Sequence, residues 1–257
     1  MNNELRYGRF TSSKIGALTT TDKKGTGWGA PALTYIEEKW MERKLKRSLN
    51  AEVTSRPLEW GKIVEGVAFG KLDTSYEIVS EKTIVHPLHN FWAGSPDLIK
   101  HGENKSVCDI KCPYTLKSFC TFVDAWDSGG IDGIRKAHKD GDTYYWQLVS
   151  NAILTNCTHA ELILYMPFFE DLKQIQQEAD NYSCSWLCFA HEIELPFLIK
   201  DGYYKSINVF SFEIPQNDID LLTSKVIKAD SEIDLKLIDK QNILITPIED
   251  GVIIQKL

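Results

Sequence analysis

The stretch Val107-Cys108-Asp109-Ile110-Lys111-Cys112, with Gly94-Ser95-Pro96-Asp97 a short way upstream, decides the fold and the chemistry of this chain. Valine and isoleucine favour an extended strand, and successive strand side chains leave on opposite faces. Asp109 and Lys111 therefore share one face, and Cys108, Ile110 and Cys112 share the other. Pro96-Asp97 falls in the turn between two β-rich runs, so its carboxylate can approach Asp109 across adjacent strands. Two close carboxylates repel each other unless a cation sits between them, and hard oxygen ligands suit Mg2+, with Mn2+ as a substitute. Glu65, on a helix upstream, is a candidate third oxygen ligand, and the backbone carbonyl of Ile110 a fourth. Lys111 then lies beside the attacking water, an arrangement suited to phosphodiester hydrolysis. Taken singly, each motif also has an ordinary reading: Asp-x-Lys as a solvated strand edge, Pro-Asp as turn chemistry.

Outward from this strand, the apolar spacing predicts helices over Ala32–Lys46 and over Leu58–Leu72, the second opened by Pro57. Short β-rich runs at Thr83–His86, Phe91–Gly94, Leu98–Lys100 and Val107–Cys112 predict an antiparallel meander. Helical patterns follow at Leu116–Ala125, Ile131–His138 and Thr143–Leu154, then an apolar strand from Ala160 to Met166. Residues 167–206 carry no clear period and read as an insertion. Ile207–Ile214 predicts a strand, Asn217–Leu237 a helix and Ile243–Leu257 a β-rich tail. This order predicts an α/β (α+β) fold with a mixed central sheet flanked by helices, in one domain over 1–257.

The 257 residues are 43% hydrophobic, 25% charged and 11% aromatic, which excludes disordered, collagenous and coiled-coil classes. Lys plus Arg number 29 against 36 Asp plus Glu, so the net charge of −7 gives no global field for nucleic acid, and any anion-binding surface must be local. No apolar run is long enough to span a bilayer and Met1–Arg6 lacks the apolar core of a signal peptide, so a cytoplasmic protein without membrane association is expected. The six cysteines include no Cys-x2-Cys pair and none lies before residue 108, against zinc or an iron–sulfur cluster. The six histidines show no metal spacing such as His-x3-His. Trp40, Trp60, Trp92, Trp126 and Trp146 sit among apolar residues and read as core. Lys39, Arg43, Lys44, Lys46 and Arg47 form the densest basic cluster, read as a solvated face with a DNA-tracking surface as the alternative.

Four motifs in order, Trp60-Gly61-x3-Glu65, Gly94-Ser95-Pro96-Asp97, Asp109-Ile110-Lys111-Cys112-Pro113 and Gly129-Gly130-x3-Ile134-Arg135-Lys136-Ala137, resemble the phage lambda-type exonucleases of the YqaJ viral recombinase family, a branch of the PD-(D/E)xK nucleases. The resemblance covers about 5–166 and more loosely 207–237. It implies a restriction-endonuclease-like core, with Asp97, Asp109 and Lys111 as the PD-(D/E)xK triad and Glu65 as the helix carboxylate near the metal. Asp109 stands where lambda-type enzymes carry Glu. The implied activity is metal-dependent 5′→3′ degradation of one strand of linear duplex DNA, leaving 3′ overhangs for a single-strand annealing partner. The implied assembly is a ring-shaped trimer, and the implied setting is phage-type recombination in a bacterial host. Arg6-Tyr7-Gly8-Arg9-Phe10-Thr11-Ser12-Ser13 resembles the stretch that helps hold the terminal 5′ phosphate, which makes Arg6, Ser13 and Ser95 its ligands; the ordinary reading of the serines is a helix cap. Gln147 resembles the site-facing glutamine of the following helix, although the family's Gln-x-Gln is broken here by Val149. The rival functions are an endonuclease of the same superfamily and a non-catalytic DNA-binding recombination module.

Overall fold

The computed structural model describes residues 5–49 and 54–244, with side chains to 237. Eight strands and seven α-helices are described: β1 (Phe10–Thr11), α1 (Ala30–Leu45), α2 (Arg56–Phe69), β2 (Tyr76–Ile78), β3 (Ile84–Val85), β4 (Trp92–Gly94), β5 (Leu98–Lys100), β6 (Ser106–Lys111), α3 (Leu116–Ala137), α4 (Gly141–Thr155), β7 (His159–Tyr165), α5 (Leu172–Asn181), α6 (Ser185–Cys188), β8 (Ile207–Glu213) and α7 (Gln216–Leu244). A 3-10 helix at Ser12–Thr19 follows β1 directly.

The main sheet runs β2-β5-β6-β7-β8, and β1-β4-β3 form a small separate sheet. β5 and β6 are antiparallel, with Leu98 opposite Cys108. β6 and β7 are parallel, with Asp109 opposite Leu162. A parallel pair needs a long crossover, and α3 with α4 supplies it. The expected antiparallel meander breaks at one step. β3 with β4 and β5 with β6 pair antiparallel as expected, but β4 does not pair with β5: it takes β1 as a parallel neighbour, Phe10 opposite Trp92, in the small sheet.

β6 is central and covered on both faces, so its alternation sorts residues between two cores rather than between core and water. Val107 joins the core built with α1, α3, α4 and α7, while Cys108 and Ile110 join the core under α2 and α5. β7 alternates in the same way: Leu162 and Leu164 go to the first core, Ile163 and Tyr165 to the second. Trp60, Trp92 and Trp146 are buried in these cores, and Trp40 and Trp126 pack half-buried against the first.

Local chemistry sets the helix limits. Pro57 lies in the first turn of α2, where its missing N–H costs nothing. The Thr115 side chain caps α3 by accepting from Ser118 N at 3.1 Å. Within α3, Gly129 and Gly130 leave helical geometry, Gly130 with φ +57°, so the two helices expected around this pair meet at a kink. Residues 167–206 hold α5 and α6, and Ile175, Ala179 and Leu187 are buried beside Trp60 and Val67 of α2. Of the expected β-rich tail, Ile243 and Leu244 end α7, and residues 245–257 lie outside the described residues.

Candidate active site

β5, β6, α2 and α4 deliver the residues singled out at the centre of the sequence. Asp97 sits one residue before β5, where its backbone carbonyl accepts from Val79 N at 2.9 Å. Its carboxylate Oδ2 accepts the Ile110 N–H at 2.8 Å, which brings it onto the open flank of β6. In a strand the N–H and C=O of one residue project to the same side, so the Ile110 carbonyl points to that flank as well. Asp109 is fully buried. Its Oδ1 accepts from Asn151 Nδ2 of α4 at 3.1 Å, and its Oδ2 lies 3.8 Å from Lys111 Nζ. Lys111 Nζ also stands 5.2 Å from the centre of the Tyr144 ring, a cation–π approach.

The electrostatics follow from burial. Burial raises the Asp109 carboxyl above its usual range, against the pull of Lys111. Burial and then the Asp109 charge hold Asp97 well above the carboxylate range. Glu65 is pushed up to about 7, chiefly by burial, with Lys111 opposing and Asp109 adding. For Lys111, burial works to discharge the ammonium, but Asp109 and Asp97 outweigh it and raise the pKa. The expected charged face of β6 is thus a buried, strongly interacting group.

Not every expected ligand is drawn in equally. Asp97, Asp109 and Lys111 meet at the β5–β6 pairing, and Glu65 shares their electrostatic neighbourhood from α2. Among the described residues no three His, Cys, Asp or Glu side chains close around one point. One feature still fits a cation. Asp109 Oδ2 is a buried acceptor with no hydrogen-bond donor, a costly state for a carboxylate oxygen.

The residues expected to hold a terminal phosphate fall into two groups. Arg6 is half-buried, its pKa lowered by desolvation with Tyr35 acting in opposition. Ser13 is exposed on a groove that Tyr35 also lines, between the 3-10 helix, α1 and the start of α4. Ser95 lies two residues before Asp97, with its Oγ 3.3 Å from Thr83 Oγ1. Gln147 lies on α4 between Tyr144, which faces Lys111, and Asn151, which holds Asp109. The spacing 144, 147, 151 is one helical face, so Gln147 lies on the α4 face of the Asp109–Lys111 residues. Asn151 was not singled out by the sequence; its place on that same face was the available signal.

The basic cluster is a solvated face only in part: Lys44, Lys46 and Arg47 are exposed, whereas Lys39 and Arg43 are drawn inward. Lys39 is buried and paired with Glu42 at 2.8 Å, and Glu42 also accepts from Gly8 N at 2.8 Å. Arg43 donates to the Gly8 carbonyl at 2.8 Å and pairs with Asp230 of α7. These two cations tie α1 to the N-terminal segment and to α7. Lys44 instead lies over the Trp40 ring at 4.5 Å.

A mixed sheet flanked by helices carries Asp97 and Asp109-x-Lys111 on paired strands, the arrangement that the resemblance to PD-(D/E)xK nucleases implies. The chain belongs to the YqaJ-like viral recombinase domain family, whose model matches residues 3–158. Similar solved structures include an alkaline exonuclease (LHK-Exo) from Laribacter hongkongensis, at TM-score 0.61 and 15% identity over 94% of this chain and 96% of that one. LHK-Exo in complex with dAMP gives a TM-score of 0.62 at the same identity and coverage. A phage-related exonuclease from Haemophilus somnus 129PT gives 0.57 at 15% identity, over 93% of this chain and 99% of that one. No curated protein matches the chain. Among the described residues no helix is long and apolar enough to cross a membrane.

Proposed function

We propose that this protein is a Mg2+-dependent exonuclease that degrades one strand of linear duplex DNA from its 5′ end and leaves 3′ overhangs for recombination. The observation that carries the reading is the bare, buried Oδ2 of Asp109 beside Lys111, with the Asp97 carboxylate pinned to the next residue of the same strand. Family membership and the exonucleases that share the fold support the reaction class and its recombination setting.

Asp97, Asp109 and the Ile110 carbonyl would hold the divalent ion, with Glu65 completing the oxygen set from α2. Bound there, the ion supplies Lewis acidity, lowering the pKa of water and offsetting charge on the phosphoryl group. Asp97 keeps its orientation through the Ile110 N–H. Lys111 stays protonated between two carboxylates, so its part is to orient the attacking water and to balance negative charge on the phosphate. Arg6, Ser13, Ser95 and Gln147 would bind the terminal 5′ phosphate, the guanidinium through paired charge-assisted bonds and the others as neutral donors. The overhang suits a single-strand annealing protein as the next partner. A homotrimeric ring around the product would keep the enzyme on its track, in the cytoplasm of a bacterial host.

End-labelled linear duplex and covalently closed circular DNA, each with and without Mg2+, test the reading. Mg2+-dependent loss of the linear substrate from its 5′-phosphorylated ends, with the circle intact, is expected. Cleavage of the circle would make it an endonuclease, and metal-independent binding without cleavage would make it a recombination module.

A further inference from the structure

We propose that Asn151 is a positioning residue that fixes the Asp109 carboxylate so that Oδ2 is presented bare to a divalent cation. The inference rests on the cation-dependent reading above and adds a residue that reading does not use. Asn151 is fully buried on α4, and its Nδ2 donates to Asp109 Oδ1 at 3.1 Å. A carboxylate with one oxygen held cannot rotate about its terminal bond without losing that hydrogen bond, so the second oxygen is aimed by default. That second oxygen has no donor.

The carboxamide is itself unevenly used. Asn151 Oδ1 is also buried without a donor. Turning the amide over would set its oxygen against the Asp109 carboxylate, so the charge of Asp109 selects the observed orientation and leaves Oδ1 unsatisfied. An asparagine kept only for packing would not carry that cost, since an apolar side chain of similar volume removes it. Oδ1 instead rests against Gly94, where an added Cβ would come within 2.5 Å of it. The preceding residue completes a brace. Ser150 Oγ is 2.8 Å from Ser12 Oγ and accepts from Trp92 Nε1 at 2.8 Å, which locks this turn of α4 to β4 and to the segment after β1. Asn151 thus holds Asp109 from a helix turn that is itself fixed from two other sides.

Calorimetric titration of the full chain with Mn2+ alone, without DNA, tests the role. Wild type is expected to bind Mn2+ in a manner abolished by Asp109→Asn. Asn151→Leu, which keeps the branched four-atom side chain and removes the donor, should weaken that binding roughly 10- to 100-fold. Excess Mn2+ should then restore hydrolysis with the KM for DNA unchanged, a rescue that a general packing defect would not show. If wild type binds no Mn2+ sensitive to Asp109→Asn, the cation reading fails and this inference with it. If wild type binds and folded Asn151→Leu binds equally well, the inference alone is overturned. Should the variant not fold, the side-chain amide of Asn151 in 15N-asparagine-labelled wild type carries the test. Its resonance should shift on adding Mg2+, and an unmoved resonance overturns the proposal.

Discussion

Two buried carboxylates stand one residue apart in register on neighbouring strands and are treated in opposite ways. Glu161 of β7, opposite Cys108, accepts from Tyr76 OH, Lys100 Nζ and Ser211 Oγ, each at 2.8 Å, with Cys108 Sγ at 3.8 Å. Asp109, the next residue of β6, has one donor at 3.1 Å on Oδ1, while Oδ2 faces the Lys111 ammonium at 3.8 Å and accepts no hydrogen bond. Both lie almost wholly out of water. A buried charge is tolerable when its lone pairs are filled, so Glu161 has the environment of a structural group. Asp109 has been left short on one side, which is stable only if something absent from the protein chain completes it or if it is protonated. The contrast separates a carboxylate that holds a sheet together from one available for chemistry.

The largest expected effect breaks the comparison at Asp109. Asp109→Asn should lower Mg2+-dependent hydrolysis by about a thousandfold or more, the scale on which lost transition-state electrostatics are felt. The same change should cost the metal-free protein little, because the lost pairing with Lys111 is offset by removal of an under-satisfied buried charge and Asp97 still acts on the ammonium. Thermal melting in EDTA alongside a linear-duplex digestion measures both; a strongly destabilised variant would make Asp109 structural after all. Glu161→Gln should do the reverse. It removes the charge opposite Lys100 and turns an NH2 toward donors that one carboxylate oxygen now accepts, costing about 2–4 kcal/mol in denaturant unfolding while a folded fraction still hydrolyses DNA.

What was legible in the sequence follows the same division. The period of β6 told which side chains share a face, and the register of Leu98 with Cys108 does set Asp97 opposite Asp109. That is local information, carried by a two-residue repeat and a turn. The small sheet was not legible, because β1 is two residues long and its partner β4 lies some eighty residues away. Lys39 could not be told from Lys44 by charge; only the nearby Glu42 and Gly8 N–H make one of them a buried ion pair. Asn151 was missed for a related reason: an amide on a helix is ordinary until the strand beneath it is known to carry an aspartate. Residues 167–206 defeated periodicity because α5 offers only Ile175 and Ala179 as buried positions and α6 is four residues long.

A middle-sized effect probes the shell behind Asp109. Gly94→Ala would drive a methyl against Ser12 Oγ, Asn151 Oδ1 and, at 2.7 Å, Leu154 Cδ1. Overpacking of this kind costs about 1–3 kcal/mol. Here it should also weaken Mn2+ binding, since the displaced atoms include the carboxamide that holds Asp109; an intact Mn2+ affinity would show that the shell can give way without moving the carboxylate.

The pH response sharpens the contrast further. Glu65 has its pKa raised to about 7 in the folded chain, whereas an unfolded chain would release that proton near the ordinary glutamate range. Between those values the folded state holds the extra proton, so stability falls as pH rises and levels off above about 7. Metal-free melts from pH 4.5 to 7.5 should show this decline, and Glu65→Gln should make it shallower, the remainder belonging to Asp97 and Asp109, whose carboxyls are also raised. Metal binding at pH 6 should release protons, read from calorimetry in two buffers of different ionisation enthalpy.

The smallest expected effect concerns the ring under Lys111. Tyr144→Phe keeps the π face 5.2 Å from Nζ and should change hydrolysis little. Tyr144→Leu keeps bulk but loses the quadrupole, worth about 0.5–1 kcal/mol, or roughly a two- to fivefold fall in kcat. If the two variants behave alike, the ring merely fills space and the carboxylates alone fix the ammonium. If leucine falls below phenylalanine, Lys111 is held from both sides, by charge across the strand and by the ring from α4. Lys100 has the same pairing of carboxylate and ring, with Glu161 at 2.8 Å and the Tyr76 ring at 5.2 Å; what separates Lys111 is that its carboxylate partner lies 3.8 Å away and accepts no hydrogen bond from it.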